Sequence, residues 1–226
     1  MELTAGKLRA AGWMVILAAV LGISGPALKY RVTGALRDIF VDKWYDVYLL
    51  ILSALFICVL LIFRLLLNEF FAFKKLDLTI NLLLVAFLLE PLIAIGLSII
   101  KVAYLPIYFG WLLDFIRSVL YLYAIWILLK KPVDIFGYSR KLSISLFVTL
   151  ACTGVVVVPD IFMWVLFVAD KASLGDYLAP RVIPTQPFEI TGIVIGIYFI
   201  VIAVRMFFTA ARAVEAARPP EALTQG

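Results

Sequence analysis

The chain has 226 residues, 65% of them hydrophobic and 15% charged, with a formal charge of +5 and no histidine. A soluble domain is nearer about 45–50% apolar, so with a mean hydropathy of +1.11 lipid must be the solvent for much of the surface. The lack of histidine removes the commonest zinc, copper and haem ligand and the commonest general base, and no cofactor or metal is expected.

Six apolar runs are long enough, or nearly so, to cross a hydrocarbon core of about 30 Å as helices. The first, 13–28, is short and is interrupted by Gly25-Pro26. Lys7 and Arg9 ahead of it resemble the start of a signal peptide, but Trp13 opens the run and no clean small-residue cleavage site follows. It is read as an uncleaved helix. In Tyr30–Lys43 the residues Val32, Ala35, Leu36, Ile39 and Phe40 recur at spacings of three and four, which predicts a short helix lying on the outer surface. The second and third runs are 44–67 and 78–100, and the fourth and fifth are 104–129 and 142–169. Pro180, Pro184 and Pro187 make 170–187 an irregular outer loop. The sixth run, 188–209, continues as a helix through an Ala/Glu/Arg-rich tail until Pro219-Pro220 stops it. The expected architecture is all-α: one transmembrane domain over 1–218 and a disordered tail over 219–226.

The basic residues set orientation. With the N-terminus inside, the inner segments hold Lys7, Arg9, Arg64, Lys74, Lys75, Lys130, Lys131, Arg140, Lys141, Arg205, Arg212 and Arg218, twelve of the 20. The outer segments hold seven, and Arg117 lies within a span. This excess predicts both termini in the cytoplasm, and the alanine-rich tail and basic inner loops fit a bacterial plasma membrane. It also accounts for the positive charge, so a nucleic-acid partner is not expected. Expected partners are the bilayer and either a membrane-protein partner or a second copy of the chain.

Charges inside the spans are the pointer to a site. Glu90, Asp114 and Asp160 lie ten, ten and nine residues from the outer ends of their runs, about 14–15 Å deep at 1.5 Å per residue. Arg117 follows Asp114 by one turn and shares its helix face. A charge near the bilayer centre costs at least about 2.5–3.5 kcal/mol, so each of these groups must be paired, protonated or in contact with water. Ser118 and Tyr121 lie next to the Asp114–Arg117 face and are expected to complete its hydrogen bonds. Pro91 cannot donate to the carbonyl of Phe87, and Pro159 breaks the ladder beside Asp160 in the same way. Arg64 and Arg205 lie near the inner ends and are expected to snorkel there. Three acids and one arginine leave an excess of negative charge, which calls for a bound proton or for water at Asp160. Glu90, Asp114, Arg117 and Asp160 are therefore the candidate ligand- or ion-binding residues.

Other chemistries find little support. Cys58 and Cys152 stand alone in different runs, without CxxC spacing, and read as packing residues. Two intramembrane aspartates suggest a protease dyad, but Arg117 would hold Asp114 ionised, and neither aspartate has glycine-rich surroundings. No catalytic residue is assigned.

Phe115-Ile116-Arg117-Ser118 followed by Ala124-Ile125-Trp126-Ile127 resembles the Arg-Ser…Ile-Trp-Ile signature of a family of bacterial inner-membrane proteins known as a domain of unknown function. Gly12-Trp13 is similar to that family's Gly-Trp-Leu opening. The resemblance spans about residues 12–131 and implies no activity. It implies that Arg117 is a family feature. The expected function is movement or sensing of a small solute or proton through the polar site. The rival is an accessory or scaffold subunit whose polar residues fix helix pairing.

Overall fold

The computed structural model describes residues 2–32, 41–100, 105–130, 133–168 and 186–217. They form six α-helices: α1 (Ala5–Val32), α2 (Val41–Leu65), α3 (Asp77–Ile100), α4 (Leu105–Lys130), α5 (Ser139–Val168) and α6 (Gln186–Ala217). Over the described residues, four stretches are long and apolar enough to cross a membrane: Ala5–Gly22, Val47–Phe70, Leu112–Lys130 and Gln186–Ala217. The protein is an all-helical membrane protein.

The first and last helices both run well beyond their apolar cores. α1 begins at Ala5 because Thr4 caps it: the Lys7 amide donates to Thr4 Oγ1 at 3.3 Å, satisfying a first-turn donor. Leu8 and Ala11 are then fully buried. α6 runs to Ala217, as the Ala-rich tail predicted. Residues 30–32 continue α1 and 41–43 open α2. The rest of the expected surface helix, like most of the outer loop at 170–187 and the tail at 219–226, lies outside the described residues.

Each helix packs on its chain neighbours, and α1 packs on α6, so the bundle closes as a ring in chain order. The N-terminus, the α2–α3 and α4–α5 connections and the end of α6 meet at one end. There the Leu3 amide donates to Glu69 Oε2 at 2.7 Å, and Arg9 pairs with Glu215 at 2.8 Å. Phe136 of one connection packs against Phe70 and Phe71 of the other, with ring centroids 5.5 and 5.2 Å apart. Leu3, Leu67, Ile135, Phe207 and Val214 belong to one buried cluster at this end. Helices with both termini and alternate connections on one side run alternately up and down.

α2 ends in a π turn over Leu66–Phe70 whose Leu66 and Leu67 are buried in the core. The Phe73 amide donates to the Leu67 carbonyl at 2.8 Å, one residue wider than the usual glycine-type helix stop. Ala72 takes the left-handed conformation, φ 51°, without a glycine to ease it. Beyond this turn, Asp77 accepts from Arg64 Nε at 2.8 Å and from Asn68 Nδ2 at 2.7 Å. Arg64 also donates to Asn81 Oδ1 at 2.8 Å. Arg64 therefore ties α2 to α3 rather than simply snorkelling to solvent.

Small residues set the close helix contacts. Gly192 and Gly196 of α6 lie one turn apart, and a Cβ at Gly192 would stand 3.3 Å from Cys152 Cβ on α5. This is the small-xxx-small contact of membrane helices. Ser145, Thr149 and Thr153 donate to carbonyls one turn back at 2.8–2.9 Å, so these hydroxyls are satisfied within α5 itself. At Gly12 a Cβ would stand 2.9 Å from the Phe208 ring, which itself packs edge-on against Trp13 at 6.1 Å.

Gly12→Leu should therefore push α1 from α6 and destabilise the protein by about 1–3 kcal/mol. In a Phe208→Ala background the same change should cost less, as unfolding of the detergent-solubilised variants would report; equal costs would mean the contact does not limit packing. Asp77 yields a second prediction. Desolvation raises its carboxyl, but hydrogen bonds from Asn68 and Arg64 and the charges of Arg64 and Lys74 outweigh this, so its pKa is lowered. A lowered folded-state pKa adds stability that is present above the unfolded value and lost as pH falls through the folded one. Stability should thus fall on acidification below about pH 4, and Asp77→Asn should flatten that part of the pH profile of the thermal midpoint.

Candidate functional site

The site is built on α3 and α4, neighbours in the ring. Glu90 lies ten residues before the end of α3 at Ile100, and Asp114 nine residues after the start of α4 at Leu105. Asp160 lies eight residues before the end of α5 at Val168. At 1.5 Å per residue these depths are about 12–15 Å, close to those expected. The α3 helix continues through Pro91.

Arg117 is the centre. Its Nη1 donates to Glu90 Oε2 at 2.6 Å, and its Nη2 to Asp114 Oδ1 at 2.5 Å. The residue is only 8% exposed. Its guanidinium also sits over the Phe87 ring, 5.0 Å from the centroid, and Phe87 stacks on Phe56 of α2 at 5.1 Å. A guanidinium carries five donors in a planar fork and no acceptor, which suits it to two carboxylates and an aromatic face at once.

The two acids are not equivalent. The Glu90 side chain is 23% exposed and the Asp114 side chain 68%. Glu90 binds Arg117 across the helix interface, whereas Asp114 binds it along α4 and turns its remaining surface out of the bundle. Two carboxylates share one guanidinium, so the cluster holds one excess negative charge unless a proton or cation joins it.

Three of the four expected residues thus meet, and the structure adds the stacked Phe87 and Phe56 beneath them, which the sequence reading missed. Phe87 could have been found, since it stands three residues before Glu90 and so shares its helix face. Phe56 lies in another span, and no local spacing points to it. Ser118 does not serve the cluster: its Oγ donates to the Asp114 carbonyl at 2.8 Å. Asp160 sits in α5, but its side chain lies outside the described residues. Cys152 is buried and Cys58 exposed. Among the described residues no three Cys, Asp or Glu side chains are grouped to hold a metal.

No family model matches the chain, and no curated protein or solved structure matches it. The site must therefore be read from its own chemistry.

That chemistry makes Arg117 the residue whose loss is felt most. Arg117→Leu leaves two carboxylates in the membrane without a cation and should cost about 3–5 kcal/mol, the usual penalty for breaking a buried ion pair from one side. Adding Glu90→Gln and Asp114→Asn should recover part of it, because the unpaired charges go too. Unfolding in mild detergent measures both; a triple variant no more stable than Arg117→Leu would show that charge is not what the site balances.

Proposed function

We propose that the protein is a multi-pass protein of a bacterial inner membrane that moves or senses a small solute or proton through the Glu90–Asp114–Arg117 cluster. The observation that carries this reading is the unequal charge count at mid-membrane: one guanidinium between two carboxylates, with Asp114 facing out. A cluster short of one positive charge in a medium of low dielectric takes up a proton or a small cation to balance. Asp160 is a further acid at similar depth on α5, next in the ring to α4, and belongs to the proposal as a candidate ligand- or ion-binding residue.

The inner-membrane orientation rests on charge. Among the described residues, the end that gathers the start of α1 and the end of α6 carries ten basic residues, Lys7, Arg9, Arg64, Lys74, Lys75, Lys130, Arg140, Lys141, Arg205 and Arg212, which favours placing it in the cytoplasm. The likeness to the Arg-Ser…Ile-Trp-Ile family remains part of the proposal, with Arg117 at the centre of the cluster as the feature that favours it.

A second reading is favoured by one observation. Arg117 is buried and joins α3 to α4, which is what a purely structural pairing would do, in an accessory subunit with no transport of its own. Glu90→Gln separates the two. It keeps the shape and a hydrogen-bond acceptor for Arg117 but removes the exchangeable proton. In proteoliposomes with a trapped pH dye and an imposed potassium diffusion potential, the wild type should take up protons faster than empty vesicles. Glu90→Gln should fall to the empty-vesicle rate with an unchanged thermal midpoint. Wild-type flux equal to that of empty vesicles, with a lowered midpoint for Glu90→Gln, would favour the structural reading.

A further inference from the structure

The inner half of α6 carries a second polar site, unrelated to the mid-membrane cluster. An open cavity of about 450 Å³ lies between α6 and the start of α5, lined by Tyr138, Val204, Arg205, Phe208, Thr209 and Arg212. Arg205, Thr209 and Arg212 recur at spacings of four and three, so they share one helix face. Tyr138 immediately precedes α5, whose first turn contains no acidic residue.

Three arginines elsewhere have carboxylate partners: Arg9 with Glu215, Arg64 with Asp77, and Arg117 with Glu90 and Asp114. Arg140, Arg205 and Arg212 have none among the described residues, and all three belong to the α5–α6 corner. Glu215, one turn after Arg212, is engaged by Arg9 at 2.8 Å. The corner thus has cationic donors, two hydroxyls, and no acid paired to them.

Height decides what such a corner meets. Arg205 stands nineteen residues after Gln186, the start of α6, and Arg212 stands twenty-six after it. These are about 28 and 39 Å along the helix. A hydrocarbon core is about 30 Å thick, and the headgroup layers bring the total to about 40–45 Å. With the outer end of α6 at the outer edge of the hydrocarbon, Arg205 lies at the inner boundary and the Arg212 backbone at the water-side edge of the inner headgroup layer, toward which a helical side chain tilts back. Val204 and Phe208 form the apolar part of the lining, suited to the upper part of an acyl chain.

We propose that this cavity is a binding site for the phosphate headgroup of an acidic phospholipid of the inner leaflet. Arg205 and Arg212 hold the phosphate oxygens, and the Tyr138 and Thr209 hydroxyls donate to the same group. Arginine suits this task because its fork meets phosphate oxygens in pairs, and basic pockets between helices on the cytoplasmic side are recurrent headgroup sites.

The test is lipid retention by native mass spectrometry. The full chain is exchanged into nanodiscs of phosphatidylglycerol and phosphatidylcholine, then released and its bound lipids counted. The wild type should retain phosphatidylglycerol over phosphatidylcholine, and Arg205→Ala/Arg212→Ala should reduce that preference by about tenfold or more. Lys74→Ala/Lys130→Ala, which removes two charges from the same end but away from the cavity, should keep it. Equal loss in both double variants would overturn the proposal in favour of diffuse attraction to an anionic surface. No loss in Arg205→Ala/Arg212→Ala would overturn it outright, provided the thermal midpoint shows that the variant is folded. Inorganic phosphate added in excess should fail to displace the retained lipid; displacement would mark the cavity as a site for a soluble anion.

Discussion

A guanidinium in the middle of a hydrocarbon layer cannot stand alone, and the arrangement of α3 and α4 follows from that. Arg117 is 8% exposed, so its charge has to be met from within the protein. One carboxylate comes from its own helix and one from the next, and an aromatic face lies beneath it. Satisfying all three at once fixes how α4 sits against α3, at which depth, and which faces meet. The Phe87–Phe56 stack carries the same constraint on to α2. Three consecutive helices are thereby held in register by one side chain, where apolar packing alone would allow sliding, because lipid tails compete with apolar side chains on equal terms.

The rest of the bundle solves the same problem of polar groups in lipid by local means. In α5 the hydroxyls of Ser145, Thr149 and Thr153 donate to carbonyls of their own helix and ask nothing of a neighbour. The α5–α6 contact is then free to be close, with Gly192 against Cys152. At the end that gathers the termini and connections, chain turns replace regular helix. There a buried apolar cluster and paired charges do the holding: Glu69 on the Leu3 amide, Arg9 with Glu215, Arg64 with Asp77. Near the same end the Lys130 ammonium lies over the exposed Trp126 ring, 4.6 Å from its centroid.

The arginines divide by what surrounds them. Arg117 is buried and doubly paired, and its task is set by desolvation. Arg64 and Arg9 are partly or well exposed and close polar corners, where ion pairs contribute little beyond register. Arg205 and Arg212 have no carboxylate among the described residues and line a cavity at headgroup height. One residue type thus serves as an internal clamp, a corner tie and a lipid-facing donor, according to depth and company.

Much of this was written in the chain itself. Long apolar runs set the membrane class and six helices, because no core of this size could bury so much apolar surface. Pro219-Pro220 set a limit beyond Ala217, and Asp114 and Arg117 were bound to meet, since residues three apart on a helix are neighbours. Other features needed the folded chain. Hydropathy placed the start of α1 at Trp13, whereas Thr4 capping and burial of Leu8 and Ala11 against the bundle carry it back to Ala5. Arg64 read as a snorkelling residue because its partners, Asp77 and Asn81, come only after the π turn folds α3 back. Glu90 joining Arg117, Phe56 lying beneath Phe87, and the closing of α6 onto α1 all depend on contacts between residues far apart in sequence. Local spacing determines what shares a helix face. Only the packing of separate helices decides which faces meet, and in lipid that decision rests on a few polar groups and small residues rather than on hydrophobicity.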